Sequence, residues 1–117
     1  MQITFDNFLP LSPAMLHILL ALSGEDRHGY GIMQEIARQS AGSYKLGPGT
    51  LYDNLEKLLE QDFVRELPRK AGQDDPRRRY YRLTATGKKL LAMELERLEA
   101  VVREGREQLG LKPRRAT

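Results

Sequence analysis

A short amphipathic helix, predicted within Leu46–Val64, constrains the fold of this chain more than any other segment. Gly47 and Pro48 mark its start, because proline's fixed φ and missing N–H are tolerated in a first helical turn. Leucines then recur at helical spacing, at Leu51, Leu55, Leu58 and Leu59. The segment is therefore predicted to bury one apolar face, and an extended segment is predicted to begin at Phe63.

The polar side of this helix divides into two flanks when positions are placed at 100° per residue. One flank holds hydrogen-bonding groups and no acid: Thr50, Asn54, Lys57 and Gln61. The other flank carries the acids: Asp53, Glu56 and Glu60. A helix that lies against a polyanion keeps the facing flank free of carboxylates, whereas a merely solvated helix is the alternative.

Composition limits the classes of function. The chain has 117 residues, enough for one domain with a modest core, and a formal net charge of +3 that permits an anionic partner. Without cysteine there are no disulfides, thiolate zinc sites or thiol catalysis. With only two histidines, we expect no metal site and no cofactor.

The longest apolar run, Leu9–Leu22, predicts a buried helix. Ser12 suits the N-cap and Pro13 the first helical position, and residues 1–11 read as an irregular arm that docks its aromatic side chains. His17 is expected to be structural.

The run Leu9–Leu22 is shorter than the ~20 apolar residues that span a bilayer, and no basic leader precedes it. We therefore expect a cytoplasmic protein with no membrane partner.

A second helix is predicted to open at His28-Gly29-Tyr30-Gly31, after a polar turn at residues 23–27. Two glycines beside a tyrosine allow backbone N–H groups to approach an anion, to which the tyrosine hydroxyl can also donate. Alternatively, Gly31 relieves crowding where two helices cross. The order helix, helix, short loop, helix then fits a helix-turn-helix, whose last helix enters the major groove.

A β-hairpin is predicted next, with strands Phe63–Pro68 and Arg78–Leu83 around a polar loop. Cations outnumber acids here: Arg65, Arg69, Lys70, Arg77, Arg78, Arg79 and Arg82 face only Glu66, Asp74 and Asp75. A solvated hairpin with surface ion pairs is one interpretation, but such pairs contribute only ~0–1 kcal/mol each. A loop that grips phosphates explains the excess better.

The last helix is capped by Thr84 and is predicted to run to about Leu109. Its apolar residues alternate steps of four and three, the spacing of a coiled-coil seam: Leu91, Leu95, Leu98 and Val102. This stripe predicts a homodimer, and folding back on its own domain is the alternative. The charged residues between them, Glu94 and Arg97 included, are expected to be solvated. We therefore divide the chain into residues 1–83, a DNA-binding domain with its arm, and 84–117, a dimerisation helix with a basic tail.

Four motifs together resemble the PadR family of bacterial transcriptional regulators. They are NFLPLSPAMLHILLAL at 7–22, HGYGI at 28–32, GPGTLYDNLEKLLEQDFV at 47–64 and RRRYYRLTATGKKLL at 77–91. The resemblance implies a mainly α winged helix-turn-helix with a small β-hairpin and a long C-terminal dimerisation helix. It also implies the short subfamily, because one helix follows the wing, and binding to palindromic operator double-stranded DNA, usually as a repressor.

Residue pattern and resemblance together give one functional hypothesis, a dimeric repressor that a hydrophobic small-molecule effector releases from DNA. The predicted DNA-binding residues are Tyr30, Lys45, Thr50, Tyr52, Asn54, Lys57, Arg69, Lys70, Arg77, Arg78 and Arg79. The alternative keeps the fold but makes it a protein–protein adaptor or a small-molecule-binding dimer that does not bind DNA. No catalytic constellation can be assembled from these residues, so no enzymatic activity is predicted.

Overall fold

The computed structural model describes residues 5–68 and 78–112. Its described part is mainly helical with a small antiparallel sheet, as the sequence predicts. The elements, in chain order, are a 3₁₀ turn at Phe5–Phe8, α1 at Pro13–Gly24, β1 at Arg27–His28, α2 at Gly29–Gln39, α3 at Pro48–Glu60, β2 at Val64–Glu66, β3 at Tyr80–Leu83 and α4 at Ala85–Gln108.

The predicted helix starts are confirmed. The Ser12 hydroxyl accepts a hydrogen bond from the Met15 N–H at 3.2 Å, in front of α1. The Thr84 hydroxyl accepts from the Gly87 N–H at 3.0 Å, in front of α4. Both side chains satisfy backbone donors that have no partner within the first helical turn. Pro48 occupies the first turn of α3, as its position after Gly47 predicts.

The core lies between the four helices and the inner face of the sheet. The leucine face of α3 is buried as predicted, with Leu59 only partly buried. The N-terminal arm docks its aromatic rings on Phe63, and the Phe8 ring meets it edge-on at 5.0 Å between centroids. Large apolar side chains that are almost fully buried include Phe63, Ile18, Leu19, Ile32, Ile36, Leu51, Leu55, Leu58 and Leu90.

The apolar run Leu9–Leu22 supplies most of α1, which extends two residues beyond the predicted end. The His17 ring stacks on the Tyr44 ring at 4.4 Å between centroids, a packing contact that fits the structural role predicted for it. No helix in the described part of the chain combines the length and the apolar character needed to cross a membrane.

The sheet corrects two predictions. Residues Arg27–His28 were expected in a turn and a helix start, but they form β1, which pairs with β3 in the strand order β1-β3-β2. A strand of two residues is too short to show alternation, so only the tertiary pairing reveals it. The hairpin strands, pairing Val64 with Leu83, are also shorter than the predicted Phe63–Pro68 and Arg78–Leu83.

Glu94 corrects the prediction of a solvated charge. Its side chain is 1% exposed, and its carboxylate accepts hydrogen bonds from the Leu11 backbone N–H at 2.7 Å and from Arg97 Nε at 2.5 Å. The Arg97 hydrogen bond lowers the pKa of Glu94, against the opposing effect of burial. The first turns of α4 lie on the core, so a position three residues beyond Leu91 faces inward.

Gly87 lies where α4 meets the end of α3. A Cβ atom there would lie 2.1 Å from the Phe63 carbonyl oxygen and 2.7 Å from the Leu83 side chain. Gly105, on the same helix, has nothing within 4 Å of its Cβ position. The two glycines therefore form a matched pair, one buried against backbone and one open.

We expect Gly87→Ala to lower the free energy of unfolding by ~1–3 kcal/mol, because backbone has to move to admit the methyl group. Gly105→Ala should raise it by ~0.5–1 kcal/mol through helix propensity. Urea unfolding followed by circular dichroism measures both. Equal stability of the Gly87→Ala variant and the wild type would contradict the packing described here.

Candidate nucleic-acid interface

The start of α2 is held by His28, a role that the sequence analysis missed. The imidazole Nδ1 accepts a hydrogen bond from the Gly31 N–H at 3.0 Å and so caps the helix. Strand pairing sets His28 opposite Tyr80, whose ring meets the imidazole edge-on at 5.3 Å between centroids. A histidine as the first residue of the predicted helix start was the available signal, since a side-chain acceptor at the N-cap position caps a helix.

Arg78, the residue two before β3, contacts the other side of the same ring. Its guanidinium nitrogen lies 3.2 Å from His28 Nε2. Partial burial of the imidazole, followed by the positive charge of Arg78, lowers the pKa of His28. The contact joins the base of the wing, defined here as residues 64–83, to the start of α2.

Gly29 allows α3 to approach the start of α2. A Cβ atom at this position would lie 2.3 Å from the Tyr52 hydroxyl oxygen and 3.0 Å from Cζ of the same ring. The three atoms nearest to a Cβ at Gly31 would belong to His28 and Arg27, at 3.4 Å or more. The close approach between two helices is therefore at Gly29, and the nearest contacts of Gly31 do not support the alternative in which Gly31 relieves crowding there.

Two tyrosine side chains near the start of α2 are more than half or about half exposed to solvent. Tyr30 is 58% exposed in the first turn of α2, and Tyr52 is 50% exposed on α3. Lys45 and Thr50, before and within the first turn of α3, are exposed as well. The contacts of His28 with Arg78 and of Gly29 with Tyr52 bring the start of α2, the base of the wing and one side of α3 together. We call this the α2–wing surface and include the exposed Tyr30, two residues after His28: His28, Tyr30, Tyr52 and Arg78.

The acid-free flank of α3 lies on a different side of that helix. Lys57 lines a pocket together with Phe8 and Met15, beside the N-terminal arm. Tyr52, about 140° away around the helix, lies over α2 instead. Asn54 is half-buried, and its side-chain nitrogen donates to the Thr50 carbonyl at 2.8 Å. The predicted DNA-binding residues of α3 therefore divide between two sides.

The wing cations differ in their partners. Arg79 lies 3.5 Å from the Glu66 carboxylate, and Arg82 binds Asp26 through two hydrogen bonds of 3.0 and 2.8 Å. Surface ion pairing thus accounts for part of the arginine excess. Three predicted contact residues lie outside the described residues: Arg69, Lys70 and Arg77.

The predicted seam of α4 is partly buried in its own chain. Leu91 is 6% exposed and belongs to the core, whereas Leu95 is 39% and Val102 is 53% exposed. Leu98 is half-buried between them. The apolar surface that remains for a partner therefore begins at Leu95 and continues toward the end of the helix.

No three His, Cys, Asp or Glu side chains among residues 5–68 and 78–112 are grouped so as to hold a metal ion. Glu35, a buried carboxylate outside this surface, is held by Arg38, whose hydrogen bonds contribute most to lowering its pKa to about 2. Its other partners, Gln39 and Arg27, make it a structural group within α2 and β1.

The model of the transcriptional regulator PadR-like family matches residues 18–93, which is more than half of the chain. The chain belongs to the PadR-like family. This PadR-like chain is also 34% identical to the transcriptional regulator Rv3488 of Mycobacterium tuberculosis over 89 residues, covering 76% of this chain and 78% of that protein.

Solved structures support the PadR-like fold. A transcriptional regulator from Clostridium thermocellum superposes with a TM-score of 0.69 at 24% identity, over 80% of this chain and 87% of the other. Bacillus subtilis PadR in complex with operator DNA superposes with a TM-score of 0.60 at 23% identity, over 69% of this chain and 45% of the other. At these identities the likeness establishes the winged helix fold.

We expect Gly29→Ala to destabilise this PadR-like chain by ~1–3 kcal/mol, since the new methyl group overlaps the Tyr52 hydroxyl. In a Tyr52→Phe background the same substitution should cost less, because the nearest overlapping atom is gone. Chemical denaturation of the four proteins in this double-mutant cycle measures the coupling. Strictly additive effects on the free energy of unfolding would show that a methyl group at position 29 and the Tyr52 hydroxyl do not contact each other.

Proposed function

We propose that this PadR-like chain is a dimeric transcriptional repressor that binds palindromic operator DNA through the α2–wing surface and α3. The observation that carries the proposal is the contact between Arg78 and His28, which brings the base of the wing to the start of α2 beside Tyr52. In a winged helix-turn-helix, the helix before the recognition helix crosses the DNA backbone. Here that helix is α2, and its start lies on the proposed surface. The fold is that of the Bacillus subtilis PadR that was solved with operator DNA.

Phosphate contacts position the protein and supply affinity that depends on salt but not on sequence. We assign this role first to exposed residues of the described part of the chain: Tyr30, Lys45, Arg78 and Arg79. Arg69, Lys70 and Arg77 lie outside the described residues and are assigned the same role from their charge in the sequence alone.

Base contacts are assigned to α3. Thr50, Tyr52 and Lys57 are exposed, and Asn54 keeps its side-chain oxygen and one amide hydrogen after bonding to the Thr50 carbonyl. Asparagine suits adenine and lysine suits guanine, and each good bidentate contact discriminates by ~1–3 kcal/mol.

The dimer is proposed to form along α4. Leu95, Leu98 and Val102 lie on one stripe, and Leu91 continues it into the core. Exposed apolar residues in a row at seam spacing lower their free energy by packing against a second copy. A two-fold axis at the α4 interface would relate the two copies and place their recognition helices about one turn of DNA apart, roughly 34 Å.

Release by a hydrophobic small-molecule effector completes the proposal. The link that supports it is the hydrogen bond from the Leu11 N–H to the Glu94 carboxylate, which couples the DNA-binding domain to α4. A ligand that changes the angle between the two copies of α4 changes the spacing of the recognition helices, and so weakens binding to DNA.

Fluorescence anisotropy with the DNA upstream of the chain's own gene tests DNA binding. We expect Arg78→Ala to weaken binding to every duplex and to reduce the slope of log K against log salt by ~0.9, the value of one phosphate contact. Asn54→Ala should leave that slope unchanged and relax discrimination at one base pair in each half-site.

Arg103→Ala is the matched control. Arg103 is an exposed arginine on α4, so its substitution removes the same positive charge at a position away from the α2–wing surface. If Arg103→Ala and Arg78→Ala change the slope equally, the wing assignment fails. If the wild type binds no duplex in moderate salt, the chain acts instead as an adaptor or a small-molecule-binding dimer.

The dimer is tested by placing a charge on the stripe. We expect Val102→Lys to convert the protein into a monomer at micromolar concentration, since a seam cannot pack around two buried ammonium groups. Ala100→Lys, on the opposite side of α4, is the control and should leave the dimer intact. Sedimentation equilibrium measures both; a dimeric Val102→Lys variant would exclude this stripe as the interface.

A further inference from the structure

The His28 ring makes two contacts that cannot both be hydrogen bonds. Its Nδ1 lies 3.0 Å from the Gly31 backbone nitrogen, and its Nε2 lies 3.2 Å from a guanidinium nitrogen of Arg78. Both neighbours are donors. A neutral imidazole has only one acceptor nitrogen, and an imidazolium has none. One ring nitrogen therefore carries a hydrogen that points at another donor.

The helix cap decides which nitrogen carries the hydrogen. Gly31 offers a backbone N–H in the first turn of α2 that has no carbonyl partner within the helix, so losing Nδ1 as its acceptor costs stability. Arg78 is exposed, so its guanidinium can turn to solvent. The favoured form is thus the neutral ring with hydrogen on Nε2, which faces outward beside Arg78.

The surroundings keep the imidazole in this orientation. Tyr80 packs edge-on against the ring. Two carboxylates that precede β1 bind arginines: Asp26 binds Arg82, and Glu25 lies 3.2 Å from Arg27. Arg27 itself turns to the Ala21 carbonyl. The Nε2 hydrogen and the Arg78 guanidinium are therefore two donors that converge on one space.

We propose that this space binds a non-bridging oxygen of a DNA backbone phosphate, which accepts one hydrogen bond from His28 Nε2 and one from Arg78. This inference rests on the proposed function and adds to it a contact residue, His28, and its chemical form. An anionic oxygen with several lone pairs resolves the conflict between the two donors, and charge-assisted hydrogen bonds of this kind are the strong ones. Arg78 has only to move aside by the width of the oxygen.

Nuclear magnetic resonance of the free, full-length protein tests the chemical form first. Long-range ¹H–¹⁵N spectra distinguish the two neutral forms of histidine, and His28→Asn identifies the signal. We expect hydrogen on Nε2 near neutral pH. Hydrogen on Nδ1 would overturn the proposal, because Nε2 would then be the acceptor of Arg78 and no donor would remain for a phosphate.

Binding of a random-sequence 30-base-pair duplex tests the phosphate contact, since such contacts do not depend on sequence. His28→Asn keeps a side-chain oxygen that can cap α2. Its amide nitrogen is a donor, but the shorter side chain ends before the position of Nε2, so the donor at that position is lost. We expect its affinity to fall by about 10-fold or more, the effect of one hydrogen bond to a charged group, with an unchanged salt slope, because a neutral donor displaces no counterion. Arg78→Ala should reduce the slope by ~0.9, and adding His28→Asn to it should have less than about a twofold further effect.

Several outcomes separate the inference from the function on which it rests. If wild type binds the duplex and a folded His28→Asn variant binds equally well, the His28 contact is overturned while DNA binding stands. If wild type binds no duplex, both fail. The His28 Nε2–H signal should shift on adding duplex; an equal shift with inorganic phosphate alone, at matched phosphate concentration and ionic strength, would reassign the space to a free anion and overturn the DNA contact.

Discussion

The close approach of α4 to the backbone between α3 and β2 fixes the geometry on which the rest of the structure depends. The Thr84 hydroxyl donates to the Asp62 carbonyl at 2.6 Å, its backbone N–H donates to the Phe63 carbonyl at 3.1 Å, and Gly87 leaves no room beside that carbonyl. Three elements meet in this contact: α3, the wing and α4. Because both acceptors are backbone carbonyls, the position of α4 follows the backbone between α3 and β2.

How much was predictable from the sequence depends on whether a signal was local. The caps at Ser12 and Thr84 and the leucine face of α3 follow from residues within one or two helical turns, and all three were predicted. The strand at Arg27–His28 was not, because its partner Tyr81 lies more than fifty residues away. Glu94 misled for the same reason: a glutamate among charged residues on a long helix gives no sign that it faces a backbone donor near the other end of the chain.

The surface proposed to bind DNA shows the same division. Exposed tyrosines and cations could be chosen from the sequence, but their grouping could not. The sequence placed Thr50, Asn54 and Lys57 on one flank, and that flank leads to the N-terminal arm at Lys57, while Tyr52 turns to the start of α2. The role of His28 could not be predicted, because it depends on two contacts from opposite directions, one with Gly31 and one with Arg78, fifty residues away in the chain.

The hydrogen bond from the Leu11 N–H to the Glu94 carboxylate limits how far the chain can be shortened at its amino end. A carboxylate that is 1% exposed relies on the backbone N–H of a residue that precedes α1, together with one arginine. Chains shortened from the amino end past residue 11 would lose that donor and leave a buried charge with a single partner. The short arm in front of the first helix is thus part of the minimal folding unit, and expression boundaries chosen from helix positions alone would cut through it.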